Sequence, residues 1–393
     1  MRIREVRAFP LHLHRPGLAH VGTAGLHGER RGPREARYHR VAPYRALYSD
    51  HIESLLVRVR TDDGSEGWGE SQAPVAPEAV GELVERVLAS VIIGQDVREV
   101  EALWRDMYDS MRDRGHTTGF MLDAIAGVDQ ALWDVNGRLR GEPVWRLLGG
   151  RTPGPRGLPA YLSGPRGATV EERIEDARRH VAAGFRAVKL FLGRGVEADL
   201  AEVGRFRDAL GWEVALFVDV QWRYDVPTAV RLGRGLQELG VGFLETPTDP
   251  EDVAGHAEIA RALDLPIALG EAERTRWQFR PLLEAGAVDL LQPDVGRAGI
   301  TEVRNIAILA DTYHRRLALH CGLGLGPYVA ASLQVGAGIP NLAWIEYQPD
   351  MAAAAGEVLE RPLEVKDGHF VLPEAQGLGV TVRPPEQWSQ AET

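Results

Sequence analysis

The chain has one cysteine, Cys321, in 393 residues. A single thiol excludes an intrachain disulfide framework and fits a reducing compartment. No run of 18 apolar residues occurs, and the opening MRIREVRAFPLHLH carries no apolar secretory segment. A soluble, cytoplasmic protein is therefore expected. Positive charge is in deficit too: 45 Lys plus Arg stand against 56 Asp plus Glu, a formal charge of -11. That balance disfavours a general attraction to nucleic acid or to an anionic membrane, and no organised basic motif accompanies it. An anionic substrate needs its own positive site, such as a metal ion.

What is present describes an ordinary globular chain, 44% hydrophobic and 26% charged, not a disordered one. Its 44 Gly and 24 Pro are spread without a period and mark turns. The length fits one barrel-sized domain with a smaller one, and by itself also fits two or three domains. Residues 1 to 14 and HIESLLVRVRTDDGSEGWGE alternate as strands do, the latter around the turn Asp63-Gly64. Residues 17 to 45 are rich in Gly, Arg and His with little periodicity, which reads as a loop of the kind that carries function. Apolar spacings of three and four across residues 77 to 148 predict three helices. The turn-rich RTPGPRG then precedes a different pattern.

From residue 158 short apolar strands alternate with helices: LPAYL, AVKLFL, VALFVDV, VGFLE, PIALGE, VDLLQPD, LALHC and LAWIEY. Eight such strands in series predict a closed parallel α/β barrel of the (β/α)8 TIM type rather than an open sheet. The expected division is an α+β cap over 1–130, the barrel over 131–355, and a segment over 356–393 returning to the cap.

Polar residues stand where these strands end: Asp219, Glu245, Glu271, Asp294, His320 and Glu346, at intervals of 26, 26, 23, 26 and 26 residues. That interval is one compact strand-loop-helix-loop unit, so the six occupy equivalent places at the C-terminal rim of a barrel, where side chains converge. Asp219, Glu245 and Glu271 on adjacent strands repel one another unless protons or cations compensate, and their oxygens suit a hard cation such as Mg²⁺. The competing reading is that they cap helices or form rim salt bridges. Asp294 beside His320 can fix the imidazole tautomer and leave the other nitrogen free for proton transfer, or can simply satisfy a structural histidine. Lys189, inside an apolar strand, either reaches the barrel mouth or snorkels to the rim. The glycines of LHCGLGLGP either bring backbone close to a substrate or make turns.

These motifs, with ALWDVNGRLRGEPVWRLLGG, GFRAVKLFLG, VDVQWRYD, FLETP, ALGE, LLQPDVGRAG, ALHC and IEYQ, resemble the enolase superfamily, in particular its mandelate racemase and muconate lactonizing enzyme group. The resemblance implies an enolase-type barrel in which Asp219, Glu245 and Glu271 bind Mg²⁺ and Asp294 with His320 forms an acid/base dyad. It further implies that Glu346 holds or polarises the substrate carboxylate, and that cap loops, residues 17 to 45 foremost, select the substrate. Dimers or octamers are usual in that family, so a homo-oligomer is expected. Two departures stand out. The Lys-x-Lys common on the second strand reads Lys189-Leu190-Phe191, which removes the base on the face opposite the histidine. The usual Asp-x-Asn reads Asp219-Val220-Gln221, with a longer amide, and Trp222 beside it either lines the pocket or packs.

The resulting expectation is a Mg²⁺-dependent acid-sugar dehydratase acting on a small carboxylate. His320 takes the proton alpha to the carboxylate and Lys189 adds a positive contact to the enediolate. Phe191 cannot serve racemisation, whereas one histidine can serve elimination of water on its own face. The alternative is a racemase or epimerase in which Tyr161, at the first strand's end, replaces the missing lysine. A metal-stabilised binding protein is a third reading, which the Asp294–His320 pair disfavours. Arg30, Arg31, Arg34, His39, Arg40 and Arg45 are candidates for substrate hydroxyls or a distal carboxylate, although solvated surface is the commoner place for arginine.

Overall fold

The computed structural model describes residues 1–13, 30–32, 36–152, 154 and 156–388, for Arg30 the backbone alone. Six strands come first: β1 (Ile3–Leu13), β2 (Arg30–Arg31), β3 (Tyr38–Val41), β4 (Leu47–Ser49), β5 (Ile52–Thr61) and β6 (Glu66–Ser71). They make two antiparallel sheets, ordered β1-β5-β6 and β2-β3-β4. The expected turn joins β5 to β6, with Gly64 at φ 87 and Thr61 bonded to Ser65 at 3.0 Å. The small second sheet corrects the reading of residues 17 to 45 as one loop. Its strands of two to four residues are too short to show a period, while 14–29 and 33–35 lie outside the described residues.

The three helical stretches follow. α1 (Pro77–Glu82) passes through a π-helical turn, Leu83–Leu88, into α2 (Ala89–Ile92), and α3 (Val100–Arg112) and α4 (Phe120–Arg140) come next. Every residue of α4 from Met121 to Gly137 is buried, because the helix is covered on more than one side. β6 lies on it backbone to backbone: a Cβ added to Gly69 would sit 2.1 Å from the Gly127 carbonyl oxygen. The boundary expected at 130 falls inside this unbroken helix.

After α5 (Val144–Leu147) the chain alternates β7 (Leu158–Ser163), α6 (Val170–Ala182), β8 (Ala187–Phe191), α7 (Val196–Leu210), β9 (Ala215–Asp219), α8 (Val226–Glu238) and β10 (Val241–Glu245). It continues through α9 (Val253–Ala262), β11 (Ile267–Leu269), α10 (Arg276–Glu284), β12 (Leu290–Leu291), α11 (Val295–Thr312), β13 (Arg316–Leu319), α12 (Pro327–Gly338) and β14 (Leu342–Tyr347). Each strand pairs in parallel with the next and β14 pairs with β7, closing the barrel. The strands are apolar on both faces because one faces the barrel interior and the other the helices. Tyr161, Phe217, Phe243 and Ala268 pack inside the barrel, with the Phe217 and Phe243 rings stacked 4.1 Å apart. That plug leaves only the rim free for chemistry.

The chain ends with α13 (Pro349–Ala354) and the short hairpin β15 (Val365–Lys366) and β16 (His369–Phe370), whose second strand pairs with the start of β7. Trp388 then packs between Phe9 and Trp68, centroids 5.8 and 6.2 Å away. The last segment thus returns to the cap. No helix among the described residues is long and apolar enough to cross a membrane.

Candidate active site

Strand register brings the spaced polar residues together. Asp219 is the Cα partner of Glu245 across β9 and β10, and Asp294 bridges to His320 just beyond β12 and β13. Glu271 follows the end of β11, and Glu346 lies in β14 opposite Tyr161 of β7. The turns after β9 and β10 are strained: Gln221, Trp222 and Thr246 all have φ near 50°, the left-handed region that side chains disfavour. The conformation is held by Trp222 N–H donating to the Thr246 carbonyl at 2.8 Å and by Thr246 Oγ1 donating to Asp219 Oδ1 at 2.7 Å. It turns Gln221 so that its amide Nε2 donates to Asp219 Oδ2 at 2.7 Å.

At the floor, Lys189 is fully buried and its Nζ lies 3.0 Å from both oxygens of Glu245, 3.0 Å from Glu346 Oε1 and 3.9 Å from Asp219 Oδ2. Burial alone would favour the neutral amine, but Glu245 and Glu346 hold its pKa well above the usual lysine range. Glu346 is held low against its own burial by Lys189 and His320, and it also accepts from Ser163 Oγ at 2.5 Å and the Cys321 amide at 3.0 Å. Glu245 moves the other way: burial, with Asp219 and Glu271 crowding it, raises it despite Lys189. One ammonium does not offset this group of carboxylates.

His320 Nδ1 lies 2.6 Å from Asp294 Oδ2, while Nε2 lies 2.8 Å from Glu271 Oε2 and 3.6 Å from Glu346 Oε2. Burial works against the imidazolium, but Glu346, Glu271 and Asp294 together raise its pKa well above the ordinary value. Gly322 makes room for the ring: a Cβ there would fall 2.5 Å from His320 Cε1.

Glu245, Glu271 and His320 each offer a ligand atom within 4.8 Å of the others, a cluster able to hold a metal ion. Asp219 is not one of this trio, and both its oxygens accept hydrogen bonds, from Gln221 and Thr246. Glu271 Oε1 is buried and accepts no hydrogen bond, a costly state for a carboxylate oxygen that a hard cation relieves. The donor set, rich in carboxylate oxygen and short of positive charge, fits a divalent cation.

Above the floor lies a cavity of about 180 Å³. Asp219, Gln221, Trp222, Glu271 and His320 line it. Lys189, Glu245, Asp294 and Glu346 are not among its lining residues, and Lys189 is ion-paired with Glu245, Glu346 and Asp219. Tyr161 is fully buried in the barrel plug, its ring 5.5 Å from Lys189 Nζ, and does not line the cavity. It is two residues short of the strand end, which Ser163 occupies.

His39 and Arg40 do not line the cavity either. His39 is buried with Nδ1 3.3 Å from Asp50, and Arg40 is exposed. Alternation along β3 and pairing with β4 instead present Tyr48, the partner of His39. Arg31 is exposed, Arg45 is an exposed partner of Asp249 at 2.5 Å, and Arg34 lies outside the described residues. The roof that sequence reasoning missed comes from β4 and the start of β5: Leu47, Tyr48, His51, Ile52 and Glu53, joined by Gln72 and Arg297. Arg297 donates to Gln72 and, at 3.0 Å, to the Glu271 carbonyl. The available signals were the polar HIE at the head of a strand pattern and the arginine within LLQPDVGRAG.

The missing second lysine has a structural counterpart. Phe191 lines the cavity and packs with Tyr48 against Val41 of the small cap sheet and Tyr44 of the β3–β4 connection, and the Tyr44 hydroxyl donates to the Leu192 carbonyl at 3.2 Å. An aromatic cluster therefore stands where a base would.

The comparisons agree with this geometry. Residues 172–387 match the family described as Enolase C-terminal domain-like, and residues 46–149 match the mandelate racemase / muconate lactonizing enzyme N-terminal domain. The chain is 34% identical over 346 residues to the D-galactarolactone cycloisomerase of Agrobacterium fabrum, covering 85% of this chain and 90% of that one. It is 31% identical over 344 residues to the arabinonate dehydratase of Saccharolobus solfataricus, covering 86% and 91%. The crystal structure of a racemase from Streptomyces coelicolor A3(2) with bound magnesium superposes with a TM-score of 0.82 at 27% identity, covering 97% of each chain. With this fold, this metal-competent cluster and these relatives, the chain belongs to the enolase superfamily, in its mandelate racemase/muconate lactonizing enzyme group.

Proposed function

We propose that this protein is a Mg²⁺-dependent dehydratase of a sugar acid, an aldonate or aldarate, giving a 2-keto-3-deoxy acid. The observation that carries the reading is the His320–Asp294 pair at the cavity wall beside buried carboxylates, with Phe191 in place of a second base. Asp219, Glu245 and Glu271 would hold the ion, and the similarity to a racemase with bound magnesium favours Mg²⁺. When bound, it would stabilise the negative charge that develops on the substrate carboxylate.

The residues of the chain do the rest. Asp294 accepts the Nδ1 hydrogen of His320 and fixes the ring at the cavity wall. Nε2 faces Glu271 Oε2 at 2.8 Å, and with Glu271 engaged by the cation it would be released from that pair to take the alpha proton. The same imidazolium returns a proton to the beta hydroxyl as the C–O bond breaks, water leaves, and the enol converts to the keto acid. Gln221, Trp222 and the roof from Leu47 to Glu53 would orient the chain of the substrate.

A second reading is favoured by the apolar part of the lining, Leu47, Tyr48, Phe191, Trp222 and Leu323, and by the similarity to a galactarolactone cycloisomerase. A lactone's ring carboxylate leaves without needing a proton, so one base suffices there also. Racemisation through Tyr161 has no support, since that hydroxyl is enclosed below the floor.

A Mg²⁺-supplied screen of sugar acids and their lactones in deuterated solvent separates these readings. A 2-keto-3-deoxy product that disappears in His320→Asn is the expected result. Ring-opened isomers in its place would transfer the assignment to cycloisomerase, and turnover unchanged by His320→Asn would remove the base from both.

A further inference from the structure

Asp294 has a second strong donor besides the histidine. Its Oδ2 accepts from His320 Nδ1 at 2.6 Å and from the Tyr328 hydroxyl at 2.5 Å, while Oδ1 accepts the Gly296 amide at 2.8 Å. Tyr328 is fully buried. Gly296 and Gly324 press on its ring so closely that a Cβ on either would come within 3.0 and 2.6 Å of ring carbons.

The residue is anchored from the other side of the molecule. Tyr328 is in the first turn of α12, and the carboxylate of Glu70, at the end of cap strand β6, accepts the amides of Leu325, Gly326 and Tyr328 at 2.9, 3.0 and 3.1 Å. Ser54 Oγ donates to the same carboxylate at 2.7 Å. A buried carboxylate on a helix N-terminus gains from both the free amides and the helix dipole. Backbone and ring are thus both fixed, and the phenol reaches Asp294 Oδ2 at 2.5 Å and, more distantly, the His320 carbonyl at 3.3 Å.

We propose that Tyr328 is a positioning residue for the dyad: its hydroxyl fixes the Asp294 carboxylate in the orientation that holds the His320 ring at the cavity wall, with Nε2 beside Glu271. A hydroxyl donating to a carboxylate is a strong, charge-assisted bond. Without it Oδ2 keeps only the imidazole, the carboxylate is freer to rotate, and the ring it steers loses its single orientation. Groups that orient a metal-bound imidazole from behind typically change affinity or activity by about 10- to 100-fold when removed, and a loss of that order is expected for an imidazole oriented in the same way.

The proposal deepens the function given above and rests on His320 as the base, so its test includes a readout independent of turnover. Tyr328→Phe keeps the ring. In the full chain labelled with ¹⁵N-histidine and free of substrate, the low-field proton of His320 Nδ1, assigned by its loss in His320→Asn, should be displaced by more than its linewidth or lost to exchange. With substrate, kcat should fall about 10- to 100-fold at unchanged KM, and Tyr328→Phe should add nothing to Asp294→Asn. An unmoved resonance overturns the proposal even if no sugar acid proves to be a substrate, which would count against the proposed function alone. Losses that add fully to those of Asp294→Asn overturn it too. Should Tyr328→Phe fail to fold, uniform 3-fluorotyrosine labelling, which makes the phenol a stronger donor, must move the same resonance, and no movement again overturns it.

Discussion

An ammonium and a guanidinium are not equivalent at the floor of this site. Lys189 and Lys366 are the only lysines in a chain otherwise basic through arginine, and the first is fully buried among Glu245, Glu346 and Asp219. A compact point charge with three donors can serve three carboxylates at once, where a planar fork would favour one. Its position within VKLFL was legible because an apolar strand must send a lysine to polar company. Its partners were not, since the contacts come from strands 30 to 157 residues away. Removing one member of a buried ionic group typically costs about 3–5 kcal/mol. Lys189→Met keeps most of the volume and should melt well below the native chain in the absence of divalent cation. With less positive charge competing, Mg²⁺ should then raise the melting temperature of the variant more than that of the native protein; at 100-fold excess over Kd such binding is worth about 2.7 kcal/mol. Calorimetry with and without Mg²⁺ checks this, and melting indifferent to the ion in both proteins would take the cation away from these carboxylates.

At the scale of elements, the barrel was readable because each strand is an apolar run ending in a polar residue at a steady interval. The eight strands form where expected, although β11 and β12 are only three and two residues long, so Glu271 and Asp294 stand past their ends instead of in them. What escaped the sequence were contacts with no period. The cap sheet β2-β3-β4 is too short to alternate visibly, and the left-handed turns at Gln221 and Trp222 and at Thr246 use residues that do not advertise them. The close seat of β6 on α4 is another such contact, and it leaves no room for a side chain at Gly67 or Gly69. Gly69→Ala drives a methyl into the Gly127 carbonyl oxygen, and overpacking of this kind costs about 1–3 kcal/mol. Gly204, inside α7 with nothing within 4 Å of an added Cβ, should gain about 0.5–1 kcal/mol as alanine. Denaturant unfolding of the two variants should move in opposite directions, and a neutral Gly69→Ala would mean that the sheet and helix can separate without loss.

Over the whole molecule, cap and barrel make one site, because the floor comes from strand ends between Asp219 and Glu346 and the roof from Leu47 to Glu53. The floor could be inferred from spacing within one repeating architecture. The roof could not, since it depends on how the cap docks, and the arginine-rich stretch supplies no described cavity residue between 31 and 45. The docking itself carries a buried acid. Asp129 of α4 accepts the Thr301 amide of α11 at 2.9 Å and the Thr301 hydroxyl at 2.5 Å, and Trp133 Nε1 donates to that hydroxyl at 2.9 Å. Burial raises the Asp129 carboxyl from 3.8 to about 7, against the lowering effect of the Thr301 bonds. A group whose pKa is raised on folding binds its proton more tightly in the native state, so its stabilisation is complete below the unfolded value and fades as pH rises through the folded one. The window is therefore pH 4 to about 7, and at about 1.4 kcal/mol per unit the loss amounts to a few kcal/mol at most. Asp129→Asn mimics the neutral acid and has no such window. The melting temperature of the variant minus that of the native chain should climb between pH 4 and 7 and level off above 8, whereas parallel curves across that range would show that Asp129 is already ionised in the folded protein at acidic pH.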